Sequence, residues 1–127
     1  MDRIYDIEGE FHMLSSGGRS SPAFTGYRPH HKVHDNYLTT ATHDYLGVSQ
    51  VAPGETVKVA VWFITPDVYP ACLWIGREID VQEGKRIIGK LKITKIFNTT
   101  LQGDPKTYNP KWVEPPNLDK SGKKYAG

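Results

Sequence analysis

An all-β fold, a sandwich or barrel of about six strands, is what this sequence predicts. Three observations carry that reading. The chain holds Gly 12 and Pro 9 in 127 residues, which suits a polypeptide that turns often rather than a helical bundle. Short runs alternate apolar and polar residues, and no window shows helical periodicity. Turn signals fall between those runs.

The elements follow in order. From Ile7 to Leu14, Ile7, Phe11 and Met13 share one face, and Glu8, Glu10 and His12 share the other, as in a half-buried strand. Ser15 to Pro22 reads as a loop, because paired glycines and small hydroxyl residues favour turns. An aromatic stretch runs from Phe24 to Tyr27. After Pro29, the polar run from His30 to Thr42 carries scattered β-branched residues and predicts one long exposed strand or two. Pro53-Gly54-Glu55 is a turn, with proline setting φ and glycine supplying φ > 0. Thr56 to Ile64 gives the clearest alternation: Val57, Val59, Val61 and Phe63 lie opposite Lys58, Ala60 and Trp62, and Pro66 stops the run. Cys72 to Arg77 predicts a short buried strand. Glu83-Gly84-Lys85 predicts a turn. Arg86 to Phe97 predicts a last strand, with Leu91, Ile93 and Phe97 opposite Lys90, Lys92 and Thr94.

Residues 1–98 are therefore read as the folded unit, and residues 99–127 as a Pro/Lys-rich tail. Tyr108, Trp112 and Val113 are too apolar for a pure linker, so part of the tail is expected to lie on the fold, with the last six or so residues loose. The formal net charge is +2, and all of the excess lies beyond Phe97. A field that small supports nucleic-acid binding only weakly. No apolar run is long enough for a membrane span, and the acid-interrupted N-terminus has no secretory pattern. Cys72 is the sole cysteine, which excludes an internal disulfide and a thiolate metal site. A cytoplasmic location is the simplest expectation.

Chemistry-bearing motifs are sparse. No GxxxxGK[ST] phosphate loop occurs; Ser121-Gly122-Lys123-Lys124 lacks the upstream glycine. His30, His31 and His34 cluster, with Asp35 and His43 as further candidate ligands. Lys32 between them would repel a cation, so a solvated, pH-sensitive strand face is the reading, not a metal site. No nucleophile elbow marks a catalytic serine, and no enzyme activity is expected. Cys72, between Ala71 and Leu73, reads as a small buried hydrophobe. Trp62 and Trp74 read as packing residues. Arg19, Arg28, Lys90, Lys92 and Lys95 are candidate phosphate contacts, with Tyr27, Tyr37 and Tyr45 as candidate stacking partners. The competing reading makes Lys90 and Lys92 a solvated face that guards an edge strand.

The order of motifs adds a family. The run Gly17-Gly18-Arg19-Ser20-Ser21-Pro22-Ala23-Phe24-Thr25-Gly26-Tyr27-Arg28-Pro29 resembles the G-G-R-x-x-P-x-F-x-G-Y-R-P signature of the C-terminal, third domain of bacterial elongation factor Tu. Pro53-Gly54-Glu55, Ile64-Thr65-Pro66, Arg77-Glu78, Gly84-Lys85-Arg86 and Ile88-Gly89 resemble that domain's later motifs, in order. The resemblance covers roughly residues 6–97. It implies a six-stranded antiparallel Greek-key β-barrel without a catalytic role. In the full factor this domain packs on the GTPase domain, touches the T-stem of aminoacyl-tRNA and meets the nucleotide-exchange factor.

Carried over by residue, the resemblance implies that Arg19 and Thr39 lie at the tRNA contact and that Glu83 and Gly84 match a Glu-Gly pair reading the T-stem. Extra residues around Ile79 to Gln82 make Glu78 the rival match. Ser20, His30 and Thr65 stand where the family has histidine, glutamine and lysine, and the loop before Gly17 is shorter and lacks the family's acids. Neither a GTPase domain nor a second barrel is expected, and the added tail is expected to cover the surface those domains would have met, through Trp112 and Val113. The expected function is a translation-related binding module that recognises a protein partner of the factor, as mimic or decoy. The alternatives are an RNA-binding protein of the T-stem type and a small-ligand barrel. No cofactor, nucleotide, metal or membrane is expected.

Overall fold

A computed structural model describes residues 5–116. Eight strands occur in chain order: β1 (Ile7–Met13), β2 (Ala23–Phe24), β3 (His30–His34), β4 (Tyr37–Tyr45), β5 (Gln50–Val51), β6 (Thr56–Phe63), β7 (Glu78–Glu83) and β8 (Arg86–Ile96). Six of them close an antiparallel barrel in the order β1-β6-β4-β3-β7-β8, and β2 pairs with β5 outside it. Because β1 lies beside β6 instead of β3, the connection is of the Greek-key type. The described residues contain no α-helix, only two short 3₁₀ turns at Pro66–Val68 and Thr99–Leu101. Among the described residues no helix is long and apolar enough to cross a membrane.

Alternation builds the core. Ile7, Phe11 and Met13 of β1 and Val59, Val61 and Phe63 of β6 are fully buried, as the pattern predicts. Each such side chain contributes about 1.5–3 kcal/mol by leaving water. Trp62 turns outward and packs on Tyr5, with ring centroids 4.5 Å apart. Asp6 is buried where the barrel closes; its Oδ2 accepts from the Phe63 amide at 2.7 Å and its Oδ1 from Asn98 Nδ2 at 3.0 Å.

Four sequence expectations need correction. The run from His30 to Thr42 takes the second of its two readings, two strands joined by a tight turn, but it is not an exposed face: His31, Val33, Thr39 and Ala41 point into the core. Cys72 to Arg77 is not a strand. Cys72 and Leu73 are buried, but the segment bends at Gly76, and its regular contact is a parallel bridge from Leu73 to Gln102. Glu78–Glu83, read only as extra residues before a turn, is the barrel strand β7. Phe97 is 44% exposed, not on the face of Leu91 and Ile93. Its turning out follows from a bulge: Glu8 pairs with Lys95 and Gly9 with Ile93, so Thr94 is left over and the inward parity passes to Ile96.

Beyond β8 the chain forms a strap. Leu101 is fully buried, and Ala71, Leu73 and Gly103 amides bond Thr100, Leu101 and Leu73 carbonyls at 2.7–2.9 Å. Pairing between β3 and β7 ends at His31↔Val81, so the barrel splays beyond that point. Arg77 and Tyr108 fill the seam. Arg77 Nη1 and the Tyr108 hydroxyl both donate to the Val33 carbonyl, at 3.0 and 2.8 Å, and Arg77 Nη2 donates to Tyr108 Oη at 3.0 Å. Further along, the Asp35 amide donates to the Pro110 carbonyl at 2.7 Å and Trp112 Nε1 to the Val68 carbonyl at 2.8 Å. Trp112 therefore packs on the barrel as expected, whereas Val113 is 70% exposed and covers nothing. The final residues expected to be loose, and the Ser121–Lys124 run, lie outside the described residues.

Candidate functional site

The loop before β2 and the β7–β8 turn meet at one rim of the barrel. Gly18 lies against β8 so closely that a Cβ there would stand 3.0 Å from the Ile88 Cα, and a side chain would push the loop out by a few tenths of an ångström. That contact delivers Arg19 to the end of β7. Arg19 Nη1 donates to Glu83 Oε2 at 2.6 Å, and the Tyr27 hydroxyl donates to the same oxygen at 2.6 Å. The guanidinium carbon sits 5.0 Å from the centre of the Tyr27 ring. Two motifs 64 residues apart in sequence thus form one constellation.

Its electrostatics are internally balanced. Burial works to raise the Glu83 carboxyl, but the bonds from Tyr27 and Arg19 outweigh it and hold the group below its usual range. The bond to Glu83 raises Arg19, and burial raises the Tyr27 phenol. Arg19 spends further donors on its own loop: Nε on the Ser21 carbonyl, Nη2 on Ser21 Oγ and on the Pro22 carbonyl. Glu83 Oε1 accepts from no described residue. The rim therefore holds a carboxylate oxygen without a described donor beside a guanidinium that is already largely engaged.

The other sequence-predicted residues are distributed unevenly. Ser20 and Gly84 are exposed on the loop and turn that flank the constellation. His30 opens β3 beside Gln82, half-buried, and its Nδ1 meets no donor or acceptor among the described residues. Thr39 has no surface to offer: it is 4% exposed, and its hydroxyl donates to the buried Tyr69 Oη at 2.8 Å. The register explains this, because the odd-numbered residues of β4 face inward. Tyr45 faces inward for the same reason, and Tyr37 packs between Tyr69 and Trp112. Arg28 is exposed with no described partner, on the outer face with Thr42 and Trp62.

Lys90 and Lys92 lie on the far side, in a charge lattice. Lys92 of β8 stands between Glu78 of β7 and Glu10 of β1, and Glu10 in turn stands beside Lys58 of β6. Lys90 stands opposite Asp80 and forms an ion pair with it. Lys95 approaches Glu8 at 3.8 Å. Each cation is matched by a cross-strand carboxylate, an arrangement that favours strand register over phosphate binding.

The histidines depart most from expectation. They are not a solvated face. His31 and His43 are fully buried with their Nε2 atoms 2.8 Å apart, and no described group of three or more ligating side chains could hold a metal. His34 lies under the strap, its Nδ1 bonded to the Asn109 carbonyl at 2.9 Å and its ring stacked on Tyr108. His30, His34 and His43 thus share no pocket; the groove beside His34 is lined by strap residues with Tyr69 and Pro70. Cys72 is buried, as expected, and burial pushes its thiol up to about 12. No family model matches this sequence.

Proposed function

We propose that the chain is a non-catalytic binding module, built like the third domain of elongation factor Tu, that recognises a protein partner of that factor as mimic or decoy. The observation that carries this reading is the Arg19–Tyr27–Glu83 rim, where residues from two motifs of the resemblance meet in one place. Its location would be the cytoplasm, with the translation machinery.

The charge arrangement favours a protein over RNA as partner. Affinity for RNA accumulates from phosphate contacts by uncommitted cations. Arg19 is engaged by Glu83, Lys90 and Lys92 are matched by carboxylates, and Thr39 is buried. Of the candidate cations, Arg28 is exposed without a described partner, and Lys92 is exposed with carboxylates only across the strands from it. A rim that shows a carboxylate oxygen beside a partly spent guanidinium suits a peptide surface better than a phosphate row.

The test uses two probes in parallel: aminoacyl-tRNA, by fluorescence anisotropy at low and moderate salt, and the purified nucleotide-exchange factor of elongation factor Tu, by calorimetry. Binding to the exchange factor that elongation factor Tu displaces, and that Arg19→Ala weakens at least tenfold, supports the proposal. Steeply salt-dependent binding to the tRNA, weakened by the same substitution, would move the chain to RNA recognition. Absence of both would overturn the likeness to the factor as a guide to function.

A further inference from the structure

We propose that His31 and His43 form an acid-sensing latch in the barrel core, whose protonation loosens β3 from β4 and releases the rim built on Tyr27. The inference needs no binding partner and stands apart from the functional reading above.

The geometry is that of one shared proton. The two rings meet at Nε2 with a 2.8 Å separation and a 61° interplanar angle. A neutral pair places one hydrogen between them, so one ring donates and the other accepts. Tyr45 Oη lies 3.1 Å from His43 Nδ1 and fixes the outer end of that ring. His31 Nδ1 has no partner among the described residues. A first extra proton would create a buried cation. A second would make both Nε2 atoms donors, facing each other across the same gap.

Only the Thr39 and Pro29 backbone beside His31 would partly offset such a charge, and burial outweighs them. From β1 it meets Phe11, with ring centroids 4.9 Å from His43, and from β6 it meets Phe63, 5.7 Å from His31. The titratable groups that face it are Tyr45 of β4, Tyr27 of the segment before β3, and His30 beside His31. Burial holds both phenols protonated and neutral. No described carboxylate faces either ring. Burial lowers His31 to about 4, and burial followed by the neighbouring His31 lowers His43 well below the ordinary value.

The sign follows. The native state refuses protons that the unfolded chain accepts near pH 6.5. Stability is therefore complete above that value and is lost as pH falls from it toward the folded value of His31. Each refused proton multiplies the unfolding constant by about ten per pH unit, so the pair supplies up to about a hundredfold per pH unit. Most carboxylates remain ionised in both states over the upper part of this window, which separates the effect from ordinary acid unfolding. The rim is coupled through the backbone. The His43 amide donates to the Tyr27 carbonyl and its carbonyl accepts from the Gly26 amide, both at 2.8 Å, and the Tyr27 hydroxyl holds Glu83.

The experiment uses the full chain labelled with nitrogen-15 at histidine and arginine. Nuclear magnetic resonance from about pH 8 to about pH 5 should show two imidazoles that stay neutral while the protein is folded, joined by a coupling across the N–H···N bond. Urea unfolding over the same range, in a His34→Gln background that removes the strap histidine, should steepen by about two protons per molecule as pH falls below 6.5. The protected Arg19 Nε–H signal should disappear together with the two imidazole signals. Two rings that titrate near pH 6.5 in a folded barrel would overturn the latch, as would a slope below one proton. An Arg19 signal that survives loss of the pair would overturn the coupling to the rim. His43→Gln should flatten the slope by about one proton; if that variant does not fold, the wild-type spectra decide alone.

Discussion

Replacing Tyr108 with alanine should lower the unfolding free energy by about 3–4 kcal/mol. The hydroxyl donates to the Val33 carbonyl at 2.8 Å and accepts from Arg77 Nη2 at 3.0 Å. A neutral hydrogen bond contributes about 1 kcal/mol and one to a charged group about 1.5 kcal/mol or more. The guanidinium carbon of Arg77 lies 4.6 Å from the ring centre, which adds about 0.5–1 kcal/mol. Stacking on His34 at 5.2 Å makes up the remainder. Tyr108→Phe keeps the ring and removes the hydroxyl, so it should cost only about 1–2 kcal/mol, because Arg77 still caps the Val33 carbonyl. Urea unfolding followed by tryptophan fluorescence measures both variants. The alanine variant should lose clearly more than the phenylalanine variant, with a single transition. Equal midpoints for wild type and alanine variant would show that the strap is not part of the cooperative fold.

Four further outcomes follow from the structure. Glu83→Gln leaves Arg19 without its carboxylate and should raise the exchange rate of the Arg19 Nε–H several-fold by nuclear magnetic resonance, with a stability change of only about 1 kcal/mol at this half-exposed site. The Glu83 carboxyl is lowered in the folded state, so its contribution is present above the usual glutamate value and should fade as pH falls below about 4.3, an event separate from the histidine window. Gly89→Ala would bring a Cβ within 2.5 Å of both the His12 carbonyl oxygen and Phe11 Cε1, and should cost about 2–3 kcal/mol in a thermal melt. Lys90→Ala with Lys92→Ala should change any tRNA affinity by less than about threefold, since both cations are already matched across the strands.

Much of the barrel could be read from alternation alone, and the exceptions have physical causes. Val59, Val61 and Phe63 are legible because one face is greasy and the other is not. Strand β7 carries the same signal in Ile79 and Val81, but its polar neighbours Glu78, Asp80 and Gln82 fit an insertion equally well until the register to β8 is known. Phe97 shows the limit of parity, since one surplus residue at Thr94 reverses every later side chain. The Arg19–Glu83 meeting could not be read from alternation, because the two residues lie 64 apart and only the β7–β8 turn brings Glu83 to the loop. The His31–His43 pair was not approachable. Histidine is at home in water and in a core alike, and only the pairing of β3 with β4 decides which. Thr39 fails as a surface contact for the same reason.

The position of β1 has a consequence for how the chain is made. This first strand pairs only with β6 and β8, each of which begins dozens of residues later. During synthesis it must wait, with both edges open, while the middle strands are still being assembled. Such an edge recruits other chains. Glu8, Glu10 and His12 on its outer side make that recruitment costly, since a second copy laid antiparallel would set carboxylate against carboxylate. The same glutamates later match Lys92, Lys95 and Lys58. One row of charges thus guards the nascent strand first and then selects its proper neighbours.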